Sequence, residues 1–142
     1  MEGVTWFTHK FIMHGLMWYF HRDHHQPEKG FFEKNDFFFL IFAVPSWLCI
    51  MLGLMYQHYY VVCIGAGIAM YGLAYFLVHD VFIHQRFKFL RNTDSVYFRA
   101  LRKAHKVHHK HLGKEEGECF GMLYVPRKYF REARASMENK NS

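Results

Sequence analysis

Charged side chains are absent from a 43-residue run that extends from Phe37 to His79. The whole chain of 142 residues nevertheless carries 18 Lys and Arg and 12 Asp and Glu. Gln57 and His58 interrupt the apolar pattern near the middle of the run, and each half is close to the roughly 20 residues that a helix needs to cross the apolar core of a bilayer. The run therefore predicts a transmembrane helical hairpin. The alternative is a buried hairpin of a soluble protein, in which an uncharged run of this length would be unusual.

Cysteine is scarce, and its spacing excludes several classes of site. Cys49, Cys63 and Cys119 form no CxxC pair, which argues against a zinc ribbon, an iron–sulfur cluster and a disulfide framework. The N-terminus lacks the order of a secretory signal peptide. The segment GAGIAM (65–70) begins like a dinucleotide-binding GxGxxG motif but has no third glycine. Because it lies in a predicted span, its small residues are expected to permit close helix packing instead.

The basic residues are concentrated on one side of the predicted hairpin. Residues 86–134 hold 13 basic and 5 acidic residues, whereas the turn at 56–60 holds none of either. The positive-inside rule predicts that the basic side is cytoplasmic, and a hairpin returns both of its ends to that side. The basic surface could dock an acidic electron carrier or anionic lipid. Its position beside the membrane argues against nucleic-acid binding.

Histidine is abundant and is arranged in a repeated order. Ten of the twelve histidines form HxxxxH, HxxHH, HxxxxH and HxxHH in turn, and they are His9, His14, His21, His24, His25, His79, His84, His105, His108 and His109. On a helix, residues i, i+3 and i+4 share a face, so each HxxHH motif can direct three imidazoles into one space. Residues five apart differ by about 140° on a regular helix. Each HxxxxH pair must therefore either approach from two sides or lie on a rewound helix, for example at a π-bulge.

Imidazole binds iron, zinc, copper and nickel, and ten ligands exceed the six that one octahedral ion accepts. The pattern predicts a two-metal centre rather than a closed structural zinc site, which needs four ligands. Asp23 and Asp80 could accept the second N–H of a metal-bound histidine, or they could be solvated or cap a helix. His111 could be a ligand, a supporting residue or a solvated one, and His58 is expected at the far membrane interface. Two carboxylate-poor metal sites beside a membrane suggest oxygen activation on an apolar substrate.

The order of the histidine motifs resembles the fatty acid hydroxylase superfamily of membrane non-haem di-iron oxygenases. The strings HKFIMHG (9–15), FEKND (32–36), VHDVFIHQRF (78–87), AHKVHH (104–109) and FGMLY (120–124) are more specific and are similar to bacterial β-carotene 3-hydroxylases. The resemblance covers residues 1 to about 126. Members of this family usually begin with a further span before the first histidine motif, whereas here Met1 lies eight residues before His9.

The resemblance implies an all-α integral membrane monooxygenase that hydroxylates β-ionone rings at carbon 3, converting β-carotene through β-cryptoxanthin to zeaxanthin. It implies two iron ions (zinc being a substitute after isolation), O2, and electrons from a ferredoxin-type donor with its reductase. The expected location is the inner membrane, in contact with lipid and carotenoid, with the active site on the cytoplasmic side. The alternatives are a hydroxylase of fatty acyl chains or sterols, and a non-enzymatic membrane metal-binding protein. A transporter is expected to hold its ligands near mid-membrane, whereas these lie at the ends of the predicted spans.

These observations give one predicted membrane domain, residues 1–134, with its apolar hairpin at 37–79 and a flexible tail at 135–142. Aromatic residues could line the route of the substrate, although plain packing is the favoured role for any one of them: Phe31, Phe32, Phe37–Phe39, Trp47, Tyr71 and Tyr75.

Overall fold

A computed structural model describes residues 1–26, 32–87 and 92–141 of the chain, and in these ranges every regular element is a helix. The all-α prediction is thereby confirmed. Phe31, one of the aromatic candidates, lies outside the described residues. The elements in chain order are α1 (Glu2–Phe7), a first π-helical segment (Thr8–Leu16), α2 (Trp18–His25), a short 3-10 turn (Lys34–Asp36), α3 (Phe37–Met55), α4 (Tyr59–Tyr75), a second π-helical segment (Phe76–Ile83), α5 (Val96–His108) and α6 (Arg127–Asn141).

The chain divides into two compact units. Unit 1 comprises Tyr19–Leu77 together with Met1, and unit 2 comprises Glu2–Trp18 and Val78–Ser142. Unit 1 contains most of α2 and the α3–α4 hairpin, and unit 2 contains the chain segments before and after unit 1.

The hairpin of unit 1 is held by close approach of its two helices. The Ser46 hydroxyl donates a hydrogen bond of 2.7 Å to the Gly65 carbonyl. A Cβ atom at Gly65 would lie 2.7 Å from the Ser46 carbonyl oxygen, and one at Gly53 would lie 2.9 Å from the Val62 amide. The expected packing role of the small residues in GAGIAM is therefore confirmed for Gly65.

Most of the apolar surface of this hairpin is not covered by the protein. The buried residues of α3 are Phe38, Ser46 and Gly53, and that of α4 is Gly65. Two helical stretches, Lys34–Met55 and Tyr59–Ile83, are long and apolar enough to cross a membrane. A soluble protein would bury such surface, so the chain is an all-α membrane protein. The second stretch continues past His79 to Ile83.

Unit 2 has its own apolar core between α5 and α6. Ala100, Leu101 and Ala104 of α5 pack with Tyr129 and Ala133 of α6. The small alanines allow the two helices to approach closely. α6 continues to Asn141, because ASMENK (135–140) contains mostly good helix formers. The predicted domain boundary at residue 134 therefore falls inside a helix. Ser142 lies outside the described residues.

Candidate metal centre

Both HxxxxH motifs lie at π-helical segments. His9 and His14 belong to the first segment. The His84 amide donates to the His79 carbonyl at 2.9 Å, which is the i→i+5 bond of a π-helix. This wider turn brings residues five apart onto one face, and the imidazole centroids lie 5.1 Å apart in the first pair and 4.5 Å apart in the second. Of the two alternatives that the spacing leaves open, the structure adopts the rewound helix.

The first cluster of unit 2 consists of His9, His14 and His108. The Nε2 atoms of His14 and His108 lie 3.2 Å apart, and the His9 centroid lies 4.6 Å from that of His108. Each residue of this cluster offers one nitrogen within 4.8 Å of the others. The first π-helical segment and α5, which are distant in sequence, thus bring three imidazoles together.

Backbone carbonyls orient these three rings. The Nδ1 atom of His9 lies 2.9 Å from the Phe120 carbonyl oxygen, that of His14 lies 3.0 Å from Leu112, and that of His108 lies 3.0 Å from Glu118. A neutral imidazole has one N–H, and a carbonyl can only accept, so each ring donates from Nδ1. The Nε2 lone pairs of His14 and His108 therefore face each other. Opposed lone pairs at 3.2 Å repel unless a cation lies between them, so this donor set fits a metal ion.

The second cluster of unit 2 consists of His79, His84, His105 and His109. The Nε2 atom of His105 lies 2.9 Å from the Nε2 atoms of both His84 and His109. The His79 ring lies 4.8 Å from that of His105, and its Nδ1 atom lies 3.4 Å from the Asp80 carboxylate. The ligand nitrogens of His84, His105 and His109 thus lie within 4.8 Å of one another, and the His79 ring lies beside them.

Burial keeps four histidines of unit 2 neutral at neutral pH. Burial, followed by the neighbouring imidazoles, holds the pKa of His105 well below its usual range. Burial is also the main reason that the pKa of His108 is lowered to about 3 and that of His109 to about 4. It lowers the pKa of His14 as well. Only neutral imidazole binds metal, so these residues are ready to act as ligands at neutral pH.

In unit 1, the α2 triplet (His21, His24 and His25) occupies one helical face. The His21 centroid lies 5.3 Å from that of His24 and 4.9 Å from that of His25, and all three side chains are buried. His21 Nδ1 lies 2.6 Å from Asn35 Oδ1, and His24 Nδ1 lies 3.0 Å from Glu33 Oε2. The FEKND segment therefore fixes the orientation of two members of the triplet.

The other residues considered from sequence have different surroundings. Asp80 contacts His79, as described above. The Asp23 carboxylate accepts from the Lys34 amide, which holds the segment that carries Glu33 and Asn35. His58 is exposed and precedes α4. Half-buried His111 belongs to none of the three histidine groups in the described part of the chain.

Sequence reasoning assigned no role to Glu33, Asn35 or the carbonyls of Leu112, Glu118 and Phe120. The rule that metal-bound histidines donate their second N–H could have directed attention to the polar residues of FEKND. Backbone carbonyls carry no side-chain signature, so no pattern of residue types could have identified them.

Comparison with known proteins gives consistent matches along most of the chain. The model of the fatty acid hydroxylase family matches residues 1–125. A β-carotene hydroxylase from Pantoea ananas is 44% identical over 126 residues, which cover 89% of this chain and 71% of the relative. One from Pseudescherichia vulneris is 43% identical over 125 residues, with coverages of 88% and 70%. One from Paracoccus sp. (strain PC1) is 37% identical over 127 residues, with coverages of 89% and 78%. No solved structure matches the chain.

Proposed function

The chain belongs to the fatty acid hydroxylase family, and we propose that it is a non-haem di-iron monooxygenase that hydroxylates the β-ionone rings of carotenoids at carbon 3. β-Carotene would be converted to β-cryptoxanthin and then to zeaxanthin. The observation that carries the proposal is the convergence of mostly buried imidazoles in a chain whose relatives are named β-carotene hydroxylases.

We propose that two metal ions are bound by ten histidines. The first cluster (His9, His14 and His108) would hold one ion, and the second cluster (His79, His84, His105 and His109) the other. The α2 triplet (His21, His24 and His25) repeats the HxxHH motif of α5, and we propose that its imidazoles are metal ligands as well. Iron, when bound, supplies the activation of O2.

The residues of the chain orient and desolvate this centre. The carbonyls of Leu112, Glu118 and Phe120 fix the tautomers of the first cluster, and Asp80 contacts His79. Burial keeps bulk water away from the imidazoles, which protects a reactive site from side reactions. The exposed apolar faces of α3 and α4 hold the enzyme in the lipid phase, where a carotenoid dissolves.

Electrons are proposed to come from a ferredoxin-type donor with its reductase. The sequence contains neither a complete dinucleotide-binding motif nor a CxxC pair, and this class of reaction needs external electrons. The basic segment 86–134 is suited to an acidic carrier and, by the positive-inside rule, to the cytoplasmic face of the inner membrane.

The test is expression in a bacterium that accumulates β-carotene, followed by pigment chromatography, with the Pantoea ananas relative as the positive control. β-Cryptoxanthin and zeaxanthin should accumulate. Protein prepared without chelators should contain two metal ions per chain by elemental analysis. Unchanged β-carotene together with hydroxylated fatty acids or sterols would support a different substrate class. Bound metal without any hydroxylated product would favour a metal-binding protein.

A further inference from the structure

The carboxylate of Glu2 is bound by three consecutive backbone amides of unit 2. Its Oε1 atom accepts hydrogen bonds from Met122 and Leu123 at 2.8 Å and from Tyr124 at 2.9 Å. Successive amides that converge in this way form an anion-binding concavity, and hydrogen bonds to an ionised acceptor are about twice as strong as neutral ones. The residue at the start of α1 is thus tied to a segment 120 positions later.

The segment that receives Glu2 also orients the first cluster. Its Glu118 carbonyl accepts from His108, and its Phe120 carbonyl accepts from His9. The Phe120 ring is 2% exposed and packs edge-on against both imidazoles and against His14, at centroid distances of 5.2 to 5.7 Å. A displacement of this segment would therefore change the direction of two ligand lone pairs at once.

The helix that begins at Glu2 also leads to the first cluster. α1 runs directly into the first π-helical segment, which carries His9 and His14. Glu2 consequently joins the helix that leads to His9 and His14 to the segment whose carbonyls orient His9 and His108. The second cluster has different support, since His79 contacts Asp80 and the His84 amide bonds to the second π-helical segment.

Gly121 is required for this arrangement. A Cβ atom at this position would lie 2.6 Å from Glu2 Oε1, which is closer than real contacts permit. The nearest obstacle is the end of a flexible side chain, so an alanine here would expel the carboxylate from its amides rather than disrupt the backbone. This gives a second, independent way to remove the same interaction.

We propose that Glu2 is a positioning residue that sets the metal affinity of the first cluster by fixing segment 118–124. The inference rests on the proposed two-metal centre. The competing role is general anchoring of the N-terminal helix, which would affect the whole fold and both clusters alike.

The experiment is a Co²⁺ titration of the purified, metal-stripped full chain in detergent, followed by visible absorption of the bound ion. The parent should bind two Co²⁺ per chain. Glu2→Ala and Gly121→Ala should each weaken one binding step and leave the other unchanged. The loss should be at most about 10- to 100-fold, which is the usual effect of removing a direct hydrogen-bond partner of a ligand histidine. Glu2→Gln should lie between parent and Glu2→Ala, because its amide oxygen can still accept. Exposed Glu116 is the matched control, and Glu116→Ala should titrate like the parent.

Three results would overturn the proposal. If both Glu2→Ala and Gly121→Ala bind two Co²⁺ ions as tightly as the parent, Glu2 does not position the first cluster. The proposed two-metal centre would be unaffected by this result. Equal weakening of both steps, with a reduced helical circular dichroism signal, would establish general anchoring instead. A parent that does not bind two Co²⁺ would remove the proposed centre itself and this inference with it.

Discussion

The Nε2 atoms of His14 and His108 face each other at 3.2 Å, although the two residues are 94 positions apart in sequence, and each ring donates from Nδ1 to a backbone carbonyl. This arrangement places buried His108 inside the first cluster, which we propose binds one metal ion.

Replacing His108 by Ala should abolish conversion of β-carotene, because a missing ligand nitrogen cannot be supplied by another residue at about 2 Å. His24→Ala should do the same. His58 is exposed at the turn between α3 and α4, so His58→Ala should retain activity. Pigment chromatography at matched protein levels measures all three. Equal conversion by the three variants would exclude the histidine motifs as the catalytic centre.

His111→Ala should keep partial activity, in line with a supporting role.

The segment between α2 and α3 should contribute to metal binding only by orienting the histidines of α2. Asn35→Ala removes the acceptor 2.6 Å from His21 Nδ1 and should lower metal affinity or activity by about 10- to 100-fold. Lys34→Ala in the same 3-10 turn is the matched control, since Lys34 contacts Asp23 through its backbone amide. Metal content after dialysis against a weak chelator compares the two. Parent-like retention of metal by Asn35→Ala would contradict the role of this hydrogen bond.

The metal-free protein should lose stability as the pH falls below about 6.5. In the folded chain, burial lowers the pKa of His108 to about 3 and that of His109 to about 4, whereas unfolded histidines titrate near 6.5. Between these values the unfolded chain binds more protons, so each group removes up to about 1.4 kcal/mol of unfolding free energy per pH unit. Above about pH 7.5 these imidazoles are neutral in both the folded and the unfolded chain, so they no longer make the unfolding free energy depend on pH.

Denaturation of the metal-free chain in detergent between pH 5 and 8 measures this dependence. Acid should shift the midpoint downward, and added Zn²⁺ should reduce the shift by holding the imidazoles neutral. A midpoint that rises as the pH falls from 7 to 5 would contradict the neutral state of the buried histidines.

The hairpin offers a matched pair of glycines on one helix. A Cβ atom at Gly65 would lie 2.7 Å from the Ser46 carbonyl oxygen, whereas one at Gly67 would meet nothing within 4 Å. Gly65→Ala should therefore cost about 1–3 kcal/mol through overpacking, and Gly67→Ala should be neutral or slightly stabilising. Thermal unfolding in detergent compares them. Equal midpoints would mean that α3 and α4 do not depend on this contact.

The orientation of the hairpin can be tested with reporter fusions after Tyr59 and Lys114. The turn carries no charge and residues 86–134 are strongly basic, so the two reporters should report opposite sides of the membrane, with Lys114 cytoplasmic. Reporters on the same side would exclude a hairpin that crosses twice.

The sequence predicts the parts of this structure that depend on strong local patterns. An uncharged run starting at Phe37 predicts α3 and α4, and the helical spacing of HxxHH predicts the shared face of His21, His24 and His25. The HxxxxH spacing of His79 and His84 leaves open whether the helix is rewound or the two histidines approach from different sides, because both arrangements satisfy the same spacing.

Other features could not be predicted, since they depend on distant backbone atoms. The carbonyl of Phe120 orients His9 across 111 residues, and the amides of Met122–Tyr124 bind Glu2 across a similar separation. Every residue type has a backbone carbonyl and every type except proline has an amide N–H, so the positions of these groups follow from the fold alone.

The exposed apolar faces of α3 and α4 have a consequence for enzyme kinetics. Enzyme and carotenoid share a two-dimensional phase, and their encounter is lateral diffusion within it. The rate should therefore depend on the number of carotenoid molecules per lipid rather than per volume of water. Fusion with carotenoid-free lipid vesicles, at fixed amounts of enzyme and carotenoid, should slow the reaction because the carotenoid is diluted within the membrane. Addition of the same volume of buffer should leave the rate per enzyme unchanged.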